Sequence, residues 1–118
     1  MASIEKDIQE FDTGEEVFRQ GERGRYMCVL LSGAVSLNRR TGRGERMLKI
    51  INTPNEFFGE LSLIAGLPHD VTAVAIKPSK VLVIDEKNFE RIVRTNGRFA
   101  LRVIRSLAER ILANESSA

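Results

Sequence analysis

The chain has 118 residues, 42% hydrophobic and 29% charged, enough for one domain with its own core. Its net charge is only +2, no apolar run reaches the ~20 residues of a membrane span, and acidic residues in MASIEKDIQEF interrupt any signal-peptide core, so a cytoplasmic protein is expected. Cys28 is the single cysteine, which excludes an internal disulfide and a zinc site built on cysteines.

In chain order, the first ten residues are expected to form a short helix with Ser3 as N-cap. From Phe11 to Asp85 the chain reads as β, with short apolar stretches separated by turn residues at Gly14, Gly21, Gly24, Gly33, Thr41–Gly44, Pro54-Asn55 and Pro78-Ser79. The strand candidates are Glu16–Arg19, Tyr26–Leu31, Ala34–Arg39, Arg46–Ile51, Val71–Ile76 and Lys80–Ile84. Turns this frequent and regular imply a compact roll or barrel. One stretch departs from the pattern. Phe57-Phe58-Gly59-Glu60-Leu61-Ser62-Leu63-Ile64-Ala65-Gly66 is poor in β-branched residues and reads as a strand end, a Gly turn and a short helix closed by Gly66. Such a helix start could seat a phosphate, although turns of this kind are often only connectors.

After Asp85 the period changes. Asp85 as N-cap and Glu86 in the first turn predict a helix to about Thr95, with Phe89, Ile92 and Val93 on its apolar face. Asn96-Gly97 breaks the chain, and a second helix is predicted over Arg98–Asn114. Its stripe of Ala100, Ile104, Leu107 and Ile111 suits either packing on the roll or a symmetric helix pair in a homodimer.

Thirteen of the 18 cations are Arg, with Arg39, Arg40, Arg43 and Arg46 crowding one loop and Arg94, Arg98, Arg102 and Arg105 along the C-terminal segment. Without aromatic platforms or a recognition helix beside them, these read as a solvated turn and a solvated helix face. Cys28 lies in an apolar strand and is expected to be a buried thiol. With His69 the only histidine and no paired carboxylates, no catalytic set is predicted, and no metal site or haem ligation is expected.

Two segments carry a family resemblance. Gly14-Glu-Glu-Val17-Phe18-Arg-Gln-Gly21-Glu22, followed by Tyr26-Met-Cys-Val29-Leu-Leu-Ser-Gly33-Ala-Val35, resembles the opening of cyclic-nucleotide-binding domains. Phe57-Phe58-Gly59-Glu60-Leu61-Ser62-Leu63 resembles their phosphate-binding cassette. The resemblance runs from about Phe11 through the last helix. It implies an α+β, mainly β fold: an antiparallel double-stranded β-roll of jelly-roll type, with a short N-terminal helix, a short cassette helix and two C-terminal helices. Residues 1–118 would form a single domain, the roll over about 11–85 and the helices over about 86–114. The site it implies comprises Phe58, Gly59, Glu60, Leu61, Ser62, His69, Asp70, Val71 and Thr72, with backbone N–H groups on the cyclic phosphate and Glu60 accepting from the ribose 2′-hydroxyl. For Glu60 the plain reading is a solvated first-turn acid that merely favours the helix dipole.

The cassette departs from the family where it closes. Gly66-Leu67-Pro68-His69-Asp70-Val71-Thr72 stands where Gly-x-Pro-Arg-[Ala/Ser]-Ala-Thr is usual, so His69 replaces the Arg and Asp70 a small residue. Histidine is mostly neutral at pH 7 and lacks the forked donors of Arg, and an acid beside the phosphate repels it. Together these changes predict affinity lower by ~100-fold or more, unless Asp70 turns to solvent. Alternatively, Asp70 raises the His69 pKa and creates a pH-sensitive phosphate contact. Asn55 replaces a usual Gly, a mild change because Asn tolerates the left-handed conformation.

The expected function is a non-catalytic regulatory sensor of a cyclic nucleotide, cyclic AMP or cyclic GMP, or a related phosphorylated ligand, with no further cofactor. The alternative is a degenerate roll that has lost the ligand and serves as an interaction or dimerisation scaffold. A fragment of a transcription regulator ranks third. With the chain ending after the final helix, a DNA-binding domain of ~60–70 residues is not expected in it, so the expectation is either a stand-alone sensor or an effector on another polypeptide, with no membrane partner.

Overall fold

A computed structural model describes residues 7–116 of the chain, with side chains through residue 113. The elements are β1 (Ile8–Phe11), β2 (Glu16–Phe18), β3 (Tyr26–Thr41), β4 (Gly44–Ile51), β5 (Phe57–Phe58), α1 (Glu60–Ala65), β6 (Thr72–Asp85), α2 (Glu86–Thr95) and α3 (Gly97–Ser116). They divide into two compact units, one ending at Asp85 and one beginning at Glu86. The fold class is as expected, a mainly antiparallel β-roll with helices. Ser3 and the start of the expected N-terminal helix fall outside the described residues. Asp7 is in a 3-10 turn, and from Ile8 the chain is a strand rather than a helix, because its backbone pairs with β6 from Ile8↔Leu82 to Phe11↔Ser79.

The first unit is a sheet ordered β1-β6-β3-β4, with β2 also on β6 and β5 on β3. Its spine is the antiparallel pairing of β3 and β6, from Tyr26↔Asp85 to Asn38↔Thr72. Four strand candidates therefore merge into two long strands. The expected breaks at Gly33 and Pro78-Ser79 are bends, marked by register shifts between Leu30 and Val35. The bend is held by Ser79, whose buried hydroxyl accepts from the Ala34 N–H at 3.0 Å and donates to the Lys77 carbonyl at 2.7 Å. Backbone groups that leave the ladder are thus still satisfied. Gly33 sits here at φ 98°, and a Cβ would run into the Ser79 hydroxyl and lie 2.5 Å from the Pro78 carbonyl oxygen. Only glycine fits this approach.

Alternation along the strands sends Cys28, Leu30, Val35, Leu37, Ala73 and Val81 into the roll, where Phe18, Ile51, Phe58 and Val71 complete the core. Emptying Phe58 to Ala would cost about 3–5 kcal/mol. Cys28 is buried among them, as expected, and burial drives its thiol pKa far up.

In the second unit, the Asn96-Gly97 break becomes a cap. Asn96 Oδ1 accepts from the Phe99 N–H at 3.1 Å, satisfying one of the orphan donors at the start of α3. Phe89 of α2 and Phe99 of α3 meet edge to face, 6.0 Å between centroids. Among the described residues no helix is long and apolar enough to cross a membrane.

Candidate functional site

The cassette begins where β5 leaves the sheet. Phe58 pairs with Cys28 and is fully buried, which fixes the strand end. The chain then turns through Gly59 in the left-handed region, φ 76°, and enters α1, which Gly66 closes at φ 66°. Both turns match the Gly positions read from the sequence. A Cβ on Gly59 would lie 3.0 Å from Phe18 Cε2 and 3.5 Å from His69 Cε1, so this backbone is both bent and closely covered. Glu60 is not the solvated acid of the plain reading: it is 1% exposed. A carboxylate withdrawn this far from water is costly, so its place is a built feature of the roll. Ser62, also buried, donates its hydroxyl to the Gly24 carbonyl and ties α1 to the loop between β2 and β3. Leu61 is half-buried beside it.

The same loop holds the far arm of the cassette. The His69 N–H donates to the Glu22 carbonyl at 3.0 Å, and the His69 carbonyl accepts from the Gly21 N–H at 2.8 Å. With its backbone so pinned, the His69 ring is 3% exposed and lies flat on Phe18, centroids 3.8 Å apart and planes 13° from parallel. Tyr26 adds a third ring 5.2 Å from it. Burial pushes the His69 pKa below its usual value, and the nearby carboxylates of Glu22 and Asp70 only partly oppose this. Asp70 therefore does not raise the His69 pKa overall. In the stacked position of the ring, desolvation outweighs the two carboxylates together.

The remaining residues turn to different partners as the chain bends into β6. Asp70 turns outward to Arg39, Oδ2 to Nη2 3.1 Å, with Arg39 Nε also donating to the Asp70 carbonyl at 3.3 Å. Its charge is half exposed and paired with Arg39. Val71 points into the core, and Thr72 Oγ1 accepts from the Gln20 N–H at 3.0 Å on the other face. The structure thus brings Phe58, Gly59 and His69 together, places Glu60 and Ser62 in the buried wall, and leaves Asp70, Val71 and Thr72 with structural partners.

Sequence reasoning missed Phe18, Tyr26, Glu22 and Arg39. Phe18 and Tyr26 stood in the quoted Gly-rich opening but carried no signal beyond core packing. Arg39 lies in the Arg cluster read as solvated, and its partner is 31 residues away. An open groove of about 670 Å³ is lined by Glu16, Arg19, Arg40, Glu45 and Thr72 among others, so of the predicted site residues it takes in only Thr72. Its cations are already paired, Arg19 with Glu16 at 2.8 Å and Arg40 with Glu45 at 3.7 Å, so it offers no unmatched charge to an anion. Among the described residues no group of His, Cys, Asp and Glu could hold a metal ion.

The site is thus a roll closed by a Gly-Glu-Leu turn and a short helix. The sequence model of the cyclic nucleotide-binding domain matches residues 8–96, and the chain belongs to that family. Among its relatives is the CRP-like cAMP-activated global transcriptional regulator of Mycobacterium tuberculosis, 28% identical over 113 residues, which are 94% of this chain and 50% of that protein. The global nitrogen regulator of a Nostoc species is 30% identical over 110 residues, 92% of this chain and 49% of the relative. The crystal structure of the Thermus thermophilus catabolite activator protein superposes with a TM-score of 0.83 at 27% identity, covering 95% of this chain and 54% of that one.

The chain therefore spans about half the length of the relatives it matches. This corrects the expectation of an effector on another polypeptide. In the named relatives the matched segment is one part of a single longer chain, and that chain is a regulator. Reasoning from the last helix alone had no access to that context.

Proposed function

We propose that this chain is the sensing part of a regulator and binds a cyclic nucleotide, or a related phosphorylated ligand, in the Phe58–Thr72 cassette. The observation that carries the reading is the Gly59-Glu60-Leu61 turn, kept in sequence within the matched family segment and built with Gly59 left-handed and Glu60 buried. In this reading the backbone N–H groups of Gly59, Glu60 and Leu61 hold the phosphate, with Ser62 close by. Glu60 accepts from a sugar hydroxyl. His69 occupies the place of the family's Arg, while Asp70, Val71 and Thr72 shape the arm that carries it. Phe58 forms the floor. The pairing of Asp70 with Arg39 supports the reading, because it offsets part of the repulsion that an acid beside the phosphate would cause. Control of transcription is the inferred output, from the names of the relatives.

The alternative is a roll that no longer binds cyclic AMP and acts as an interaction scaffold. It is favoured by one observation, the buried ring of His69 in the place of the family's Arg, where burial disfavours the charged form. Calorimetric titration with cyclic AMP and cyclic GMP at pH 6 and pH 8 separates the two. Micromolar binding of either establishes the sensor. Silence at both pH values, repeated with His69→Arg/Asp70→Ser, retires the cyclic-nucleotide reading and points to a scaffold or a different ligand.

A further inference from the structure

His69 is the only histidine of the chain, and its position is unusual for a polar side chain. The ring is buried, stacked on Phe18, and close against Gly59, while Nε2 has no hydrogen-bond partner and no access to water. A buried polar atom without a partner disfavours the conformation that buries it. Two features balance that cost: the aromatic stack with Phe18 and the two backbone bonds to Gly21 and Glu22, which fix the main chain and not the ring.

We propose that His69 is a displaceable plug that determines what enters the cassette: stacked on Phe18 it covers the Gly59 backbone, and an anionic ligand reaches that backbone only when the ring swings out. The inference rests on the cassette being the ligand site, and deepens that reading by assigning His69 to exclusion rather than to a standing phosphate contact.

Acid favours the open position. The groups facing the ring are Glu22 from the loop between β2 and β3, Asp70 beside it in the chain, and the phenol of Tyr26 from β3. Glu60 is the buried acid adjoining Gly59. Burial pushes the Tyr26 pKa up to about 12, so Tyr26 stays neutral. Glu22 and Asp70 favour the imidazolium, but burial outweighs them. The ring is therefore held more tightly when neutral, and protonation shifts the population outward. A swung-out imidazolium also brings a positive charge to meet the ligand's phosphate.

One ligand-free measurement tests the plug directly. The single His69 Cε1–H signal is followed by proton NMR from pH 8 to pH 5 in the whole chain. The stack predicts an upfield signal at pH 8 that moves to the unstacked position as the ring protonates, with a midpoint below 6.5. Phe18→Leu removes the upfield displacement at pH 8 and confirms its source. An unstacked signal at pH 8, or a ring that protonates and keeps its upfield shift, overturns the plug.

The second measurement is titration with cyclic AMP and cyclic GMP of the wild type and His69→Ala, at pH 6 and pH 8. A plug costs the wild type the fraction of molecules that are closed, so His69→Ala binds about tenfold more tightly at pH 8 and loses the pH dependence. Weaker binding by His69→Ala than by the wild type overturns the plug and leaves the sensor standing. Silence in both proteins defeats the cyclic-nucleotide reading, and the NMR result then decides the plug alone.

Discussion

Arg39 of β3 reaches across 31 residues of sequence to Asp70, with Nη2 3.1 Å from Oδ2 and Nε on the Asp70 carbonyl. The pair directs outward the one acid that the sequence places at the mouth of the cassette. Both side chains are nearly half exposed, so the bond contributes only about 0–1 kcal/mol to stability. Its consequence for charge is larger than its consequence for folding.

Asp70→Ala should therefore change the urea midpoint by no more than about 1 kcal/mol equivalent. The same change removes a carboxylate that raises the His69 pKa, so the His69 titration should move to still lower pH. Proton NMR of the single histidine reads this shift, and an upward movement would show that Asp70 does not act on the ring.

Stability should decline on mild acidification because of His69. Its folded pKa lies below the unfolded value of about 6.5. The neutral ring's contribution is then complete above about pH 6.5 and is lost as pH falls through the folded value. Thermal melts between pH 8 and pH 5 should show this decline, and His69→Gln should flatten it. Glu16 titrates in a separate, lower window. The hydrogen bond from Arg19 holds its carboxyl below 4.5, so its contribution survives until the pH falls below that value.

Gly33→Ala should be among the most damaging single-methyl additions. It combines a left-handed backbone, φ 98°, with a collision against the Ser79 hydroxyl and the Pro78 carbonyl, both part of the bend between β3 and β6. Strain and overpacking together should cost about 2–4 kcal/mol. Chemical denaturation would detect this easily. Gly42→Ala, where an added Cβ meets nothing within 4 Å, is the matched control and should stay near neutral.

Cys28 should resist alkylation in the native protein. Its side chain is fully buried on β3, and burial disfavours the reactive thiolate. A thiol-labelling time course should show no reaction in buffer and one equivalent in denaturant. Because Cys28 is the single cysteine, the labelling rate reports the opening of the core directly.

Local patterns carried much of the fold. Turn residues at regular intervals implied the roll, and the change of period after Asp85 located α2 and α3 within a residue or two. The helix bounded by Gly59 and Gly66 was also legible, because both glycines stand in the left-handed conformation that ends such a segment. Other features needed distant partners. Ile8–Phe11 has no strong strand signal of its own and is a strand because β6 lies beside it. Gly33 and Pro78-Ser79 look like breaks, yet each faces the other across the sheet, and the Ser79 hydroxyl supplies the hydrogen bonds the ladder gives up.

The cassette divides in the same way. Its residues, their order and the replacement of Arg by His69 are written in the sequence, since a Gly-Glu-Leu turn is a local object with local geometry. Where the His69 ring goes, and which way Asp70 faces, were decided only by tertiary structure. Phe18 and Arg39 come from strands far earlier in the chain, and neither a stack nor an ion pair between such residues has any period or spacing to announce it. Sequence determined the chemistry available at the site; folding determined that the histidine's neutral form is buried and the aspartate's charge is matched, because desolvation and pairing depend on neighbours that only the closed roll supplies.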